Sequence, residues 1–260
     1  MASRAVGIGI GVVIVAAIGA GAYYWWQQQS RPPSLPPPTA AQAPAPAPTG
    51  PKHPLPTEAA APLPTLNESD AAMNEALASL LGNQAVQRFL NIDGIVRRIV
   101  ATVDNLPRET LATRLNPVKP VGGAFVTRGP EGSLTIAPEN AQRYTPLVRL
   151  MEQVDTKKAV ALYVRFYPLF QQAYEELGYP GRYFNDRLVE AIDNLLDAPE
   201  PDKPVALVVP HVLYEYQDPE IESRSAGQKV LVRIGRSNEA VVKAKLRELR
   251  QEVVAGAAKR

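Results

Sequence analysis

The chain has 260 residues, a formal net charge of +2 at pH 7, 45% hydrophobic and 21% charged residues, 26 prolines and no cysteine. The lack of cysteine excludes a disulfide framework and a lipoprotein-type attachment through an N-terminal Cys. Three of the 28 Lys and Arg and one of the 26 Asp and Glu lie upstream of Thr65, which leaves 25 of each beyond it. A domain with no net charge lacks the basic footprint of a nucleic-acid binder.

Residues 5–26 carry no charge and read AVGIGIGVVIVAAIGAGAYYWW. As a helix, such a run just spans a hydrocarbon core about 30 Å thick. Tyr23, Tyr24, Trp25 and Trp26 close it with the rings that favour a membrane–water interface. Arg4 is the flanking cation on the short side, and Arg31 is the first on the other. That bias predicts a cytoplasmic N-terminus, with the remainder beyond the inner membrane in the periplasm. The alternative is a cleaved signal peptide ending at Ala20-Gly21-Ala22; the length of the run and its aromatic end favour the anchor. Gly7 and Gly11 are spaced to let two such helices pack as a homodimer, although glycine is common in membrane helices generally.

Residues 27–64 hold 13 of the 26 prolines. Proline removes amide donors and favours extended polyproline II, so this stretch reads as a disordered Pro/Ala-rich spacer. His53 falls in it and is given no site role.

Residues 65–260 form one domain, predicted as mainly α with minor β (α+β), a multi-helix unit with one or two short hairpins. Ser69 is read as the cap of a first helix ending at Gly82. Ile92, Ile95, Val96, Ile99, Val100 and Val103 repeat at helical spacing up to Pro107. Residues 124–127 and 133–136 flank Gly129-Pro130-Glu131-Gly132 as a hairpin. Further helices are predicted at 139–154, from the cap Asp155 to Leu177 with a kink or break at Pro168, and around 188–196. Strands follow at 205–209 and 212–216, then helices at 226–234 and beyond a cap at Ser237.

Residues 163–184 hold eight of the 17 aromatics. Tyr163, Phe166, Tyr167, Phe170 and Tyr174 follow helical spacing, which favours core over a groove. Tyr179 and Tyr183 flank the turn Pro180-Gly181 and are candidate binding positions. Asp104, Arg108, Asn185 and Arg187 group carboxylate, amide and guanidinium and are also candidates, a structural clamp being the plainer role. Glu175, beside the aromatics, is the one carboxylate considered for catalysis; its neighbour Glu176 points about 100° away on a helix, so the two are not a paired acid and base. His211 is the sole histidine of the domain, and no nucleophile elbow accompanies it. No cofactor or metal site is indicated. Lys243, Arg247 and Arg250 share a helical face, read as solvated, with Glu239–Lys243 as a surface i,i+4 pair.

Several strings together resemble a known family: Leu66-Asn-Glu-Ser-Asp70, Ile99-Val-Ala-Thr-Val-Asp-Asn-Leu-Pro-Arg108, Tyr167 to Pro180, Phe184-Asn-Asp-Arg-Leu188 and Ser225-Ala-Gly-Gln-Lys229. Arg143-Tyr144 and Asp218-Pro219 fit the same pattern. The family is the proteobacterial domain of unknown function 3014. The resemblance implies a membrane segment, a Pro/Ala-rich linker and this domain in a Gram-negative envelope, and it carries no activity. Together these readings point to a membrane-anchored periplasmic module that binds or scaffolds an envelope protein or glycan. The alternative is a carboxylate-dependent envelope hydrolase acting on glycan.

Overall fold

A computed structural model describes residues 50–55 and 62–258. The chain divides into the units Met1–Ala47 and Pro48–Arg260, and every described residue belongs to the second. The apolar run at 5–26, with its Gly7–Gly11 pair, and the spacer at 27–49 and 56–61 lie outside the described residues. Among those described, no helix is long and apolar enough to cross a membrane.

A short 3-10 turn, Leu66–Glu68, leads into α1 (Ser69–Leu81), followed by α2 (Asn83–Phe89) and α3 (Ile95–Asn105). Ser69 does not cap α1: it is the first helical residue, and its hydroxyl donates to Leu66 O at 2.8 Å. The cap function falls to its neighbour on a different helix. Asp70 accepts from the N–H groups of Gly94 and Ile95 at 2.8 and 3.2 Å and so binds the amides at the start of α3. Helix α2 was not predicted, because its seven residues are too few to show a period.

Strands β1 (Thr127–Arg128) and β2 (Leu134–Ile136) form the expected hairpin. Next come α4 (Glu139–Gln153), α5 (Thr156–Glu176) and α6 (Phe184–Leu196). Asp155 caps α5, accepting from Lys158 N at 3.0 Å. Pro168 neither breaks nor ends α5. It removes one i→i−4 bond, but Phe166, Leu169 and Phe170 are buried on either side of it, and that packing carries the helix through.

Strands β3 (Ala206–Val208) and β4 (Glu215–Tyr216) make the second hairpin. The two hairpins are one sheet, because β2 pairs antiparallel with β3 through Leu134↔Leu207, giving the order β1-β2-β3-β4. A single helical turn, α7 (Pro219–Glu222), is capped by Asp218. The chain continues into α8 (Ala226–Ile234) and α9 (Arg236–Ala258). Ser225 closes a full capping box on α8 with Gln228. Helix α9 starts at Arg236, one residue ahead of the predicted cap Ser237, because Gly235 at φ +85° makes the whole turn from α8 by itself.

The fold is therefore mainly α with one small antiparallel sheet. Three apolar clusters hold it together. The first joins Met73 of α1, the Ile95–Val96–Val100 face of α3 and the α5 rings Phe166, Phe170 and Tyr174, with Phe184 of α6. The second joins Val148, Ile192, Leu195, Leu231, Ile234, Val242 and Leu246 from α4, α6, α8 and α9. The third packs the sheet, through Leu207 and Tyr216, on Ile221 and Val232.

Candidate functional site

Four of the candidate binding residues meet around one carboxylate. Asp104 lies in the last turn of α3, and its side chain is 5% exposed. Arg108, one helical turn further on, places Nη2 2.6 Å from Oδ2 and Nε 3.2 Å from the Asp104 carbonyl. Arg187 reaches across from α6, with Nε 3.0 Å from Oδ1 and Nη2 2.5 Å from the same carbonyl. The Tyr179 hydroxyl donates to Oδ2 at 3.3 Å and accepts from Arg108. Its ring stacks on Tyr174, with centroids 4.6 Å apart.

Burial pulls the Arg187 guanidinium down, and pairing with Glu190 and Asp104 overrides it, holding the group above its ordinary value. Burial, reinforced by Asp104, raises the Tyr174 phenol. Both Asp104 oxygens and its carbonyl are engaged by cations or a hydroxyl. The set ties the end of α3 to α6 and to the loop ahead of it, an arrangement that orients helices.

The remaining candidates lie elsewhere. Asn185 is 1% exposed; its Oδ1 accepts from Tyr163 and its Nδ2 donates to the carbonyl of His53. Tyr183 is half-buried at the N-cap position of α6. Glu175 is exposed on α5, where Oε1 accepts from Gln171 Nε2 at 2.8 Å. His211 is exposed in the β3–β4 loop. Among the described residues, no group of three or more His, Cys, Asp and Glu could hold a metal ion.

The Ser225–Lys229 string packs against the same ends of α3 and α6. The amides of Ala226 and Gly227 donate to the carbonyls of Arg108 and Leu106 at 2.6 and 2.9 Å. Ser225 Oγ donates to Asn194 Oδ1, and Gln228 Nε2 to Asn194 O. Gly227 is required by proximity: a Cβ there would meet Leu195 Cδ2 at 2.7 Å and the Leu106 carbonyl at 3.0 Å. Arg143 donates to the carbonyls of Gly122 and Gly123 and to Asn140 Oδ1, pinning the approach to the sheet. The Ser225 hydroxyl, the Gln228 amide and both terminal nitrogens of Arg143 are spent on internal bonds.

A second charged set overturns the surface reading of α9 at Glu239 and Lys243, while Arg247 is exposed as that reading has it. Glu239 and Lys243 are 0% and 3% exposed. Lys243 Nζ donates to Ala198 O at 2.6 Å and to Glu200 Oε1 at 2.7 Å, and it sits 3.2 Å from Glu239 Oε1. Helix α9 packs against α4, α5, α6 and α8, and Lys243 lies on the side they cover. Arg250 pairs with Asp193 of α6.

Burial raises the Glu239 carboxyl above its ordinary value of 4.5, against the downward pull of Lys243, and neither Glu239 oxygen has a hydrogen-bond partner among the described residues. Between that ordinary value and the raised folded value, the folded chain binds more protons at Glu239 than the unfolded chain does. Its contribution to stability therefore falls as pH rises through that interval. Urea unfolding at a series of pH values is expected to show the natural protein losing stability relative to Glu239→Gln across this window. The difference between the two is expected to be constant at higher pH.

No curated protein and no solved structure matches the chain. A family model described as a protein of unknown function, DUF3014, matches residues 95–250, which covers the strings from Ile99 onward and leaves Leu66–Asp70 ahead of it. That span is more than half of the chain and contains α3 to α6, the sheet, and α8 with most of α9, so the chain belongs to the DUF3014 family.

Proposed function

We propose that this protein is a membrane-anchored binding or scaffolding module of the cell envelope. The apolar run at 5–26 would hold it in the inner membrane, and the β3–β4 hairpin would be its contact surface for a partner protein. One observation carries the binding reading: Val212 and Leu213 at the hairpin tip are 87% and 76% exposed, beside exposed Val209 and Tyr214. Large apolar side chains grouped in solvent mark interaction sites more often than isolated ones do. The tip is firmly rooted, since Tyr214 packs on Phe125 at 5.5 Å between ring centroids and Arg233 lies over Phe125 at 5.4 Å.

The surroundings favour a protein over a lipid surface. Glu215, where β4 leaves the tip, is exposed and would be repelled by anionic headgroups, as would the exposed Asp218 and Glu220 that follow the strand. Strand β4 pairs with β3 and forms one edge of the sheet. A partner with an apolar pocket and a basic rim fits both features. The hydrolase alternative has less support, since Glu175 is solvent-exposed and occupied by Gln171.

The test is a photo-crosslinking amino acid placed at Leu213 of the full-length chain in intact cells, with exposed Glu109 as the control position. The expected result is a discrete protein adduct from position 213 alone. Lipid adducts, or equal labelling from both positions, would overturn the reading. Val212→Asp with Leu213→Asp is expected to remove the adduct while changing stability by less than about 0.5 kcal/mol per site, as exposed positions do.

A further inference from the structure

The Pro-rich stretch ahead of the domain is not all spacer. Residues 50–55 lie against the start of α6, more than 130 residues away in sequence. Asp186 takes two consecutive backbone amides there: Lys52 N–H donates to Oδ2 at 3.0 Å and His53 N–H to Oδ1 at 2.8 Å. Asn185 completes the contact, its Nδ2 donating to the His53 carbonyl at 2.7 Å. The Tyr163 hydroxyl donates to Asn185 Oδ1 at 3.0 Å, which turns the amide nitrogen toward the strap. Asn185 is itself buried and fixed, so the donor is pre-set rather than recruited.

These three bonds read main chain. The Lys52 side chain is exposed, and none of the three bonds uses the side chain of Lys52 or His53. The order Pro51-Lys52-His53-Pro54 suits that mode of recognition. The prolines pre-set an extended backbone at low entropic cost and lack N–H groups of their own. The two residues between them supply the two donors that one carboxylate can accept. Any extended segment with two free amides between prolines presents the same pattern.

We propose that Asn185 and Asp186 form a backbone-reading site for an extended, proline-flanked peptide, and that the chain's own residues 50–55 occupy it as an internal strap. A partner segment of this kind binds only as the strap leaves. Occupation in cis lowers the apparent affinity for a competitor by the fraction of time the site stands open. The contact is separate from the hairpin and does not depend on it.

The experiment uses the full-length chain and a fluorescent synthetic peptide with the sequence of residues 48–57. Lys52→Pro with His53→Pro removes both donated amides and is expected to release the strap. The peptide should bind this variant about tenfold or more tightly than the natural chain. Adding Asp186→Ala to the released variant should abolish binding without loss of the cooperative melt. In the natural chain, the amides of residues 52 and 53 should exchange with solvent more slowly than in Asp186→Ala alone. Equal peptide affinity for the natural and released chains, no binding to the released chain, or equal amide exchange with and without Asp186, would each overturn the proposal.

Discussion

Replacing Asp104 by alanine is expected to cost about 3–5 kcal/mol of folding stability, the range for removing one partner of a buried ion pair. The cause is what remains. Arg187 is 14% exposed at its side chain and would keep its charge with only the exposed Glu190 left to pair it. Arg108, at 47% exposure, can turn to water and would suffer less. The Tyr179 hydroxyl would lose its acceptor and its fixed place over Tyr174. Denaturant unfolding of the two proteins measures the loss. Arg108→Ala is expected to cost less than Arg187→Ala, because solvent screens the more exposed Arg108 and its pairing with Asp104 contributes less.

The second large effect is at Phe170. Its ring is 4% exposed, stacked on Phe184 at 5.7 Å and tilted against Tyr163 at 5.5 Å. Phe170→Ala is expected to cost about 3–5 kcal/mol through lost transfer energy and the cavity left behind. For a domain of this size that is a fall in Tm of roughly 6–20 °C. Calorimetry of the natural and variant chains checks it. An unchanged Tm would mean that the α5 rings are not core.

The helical part of the fold was legible because its signal is local. The stripe Ile95, Val96, Val100 on α3 and the ring series on α5 repeat at 3.6 residues, and both faces are buried in the same cluster. The sheet was only half legible. Each hairpin has its own turn, but the pairing of Leu134 with Leu207 joins segments 73 residues apart, and nothing local announces it. The strands also came out shorter than the apolar runs suggested, since Val209, Val212 and Leu213 extend into solvent instead of into the ladder.

The candidate site divides in the same way. The strings around Asp104 and Arg187 each showed a charge beside an amide. That one carboxylate would take guanidiniums from both, 4 and 83 residues away, needed the α3–α6 packing. Glu239 and Lys243 show why an i,i+4 pair is ambiguous: the spacing is identical on a wet face and in an interior, and only the four helices around α9 decide. The Asp186 contact was invisible because its partners are backbone amides, which every residue but proline carries.

The Asp104 set is a clamp that fixes α3 against α6. A double-mutant cycle of Asp104→Ala and Arg187→Ala in equilibrium unfolding tests this most directly. Two costly single variants are expected, with a double variant less damaged than their sum and a coupling of about 1–3 kcal/mol. Additive losses of a few tenths of a kcal/mol in a domain that stays fully folded would contradict it, because side chains so placed yet so dispensable to stability would have to be kept for a ligand.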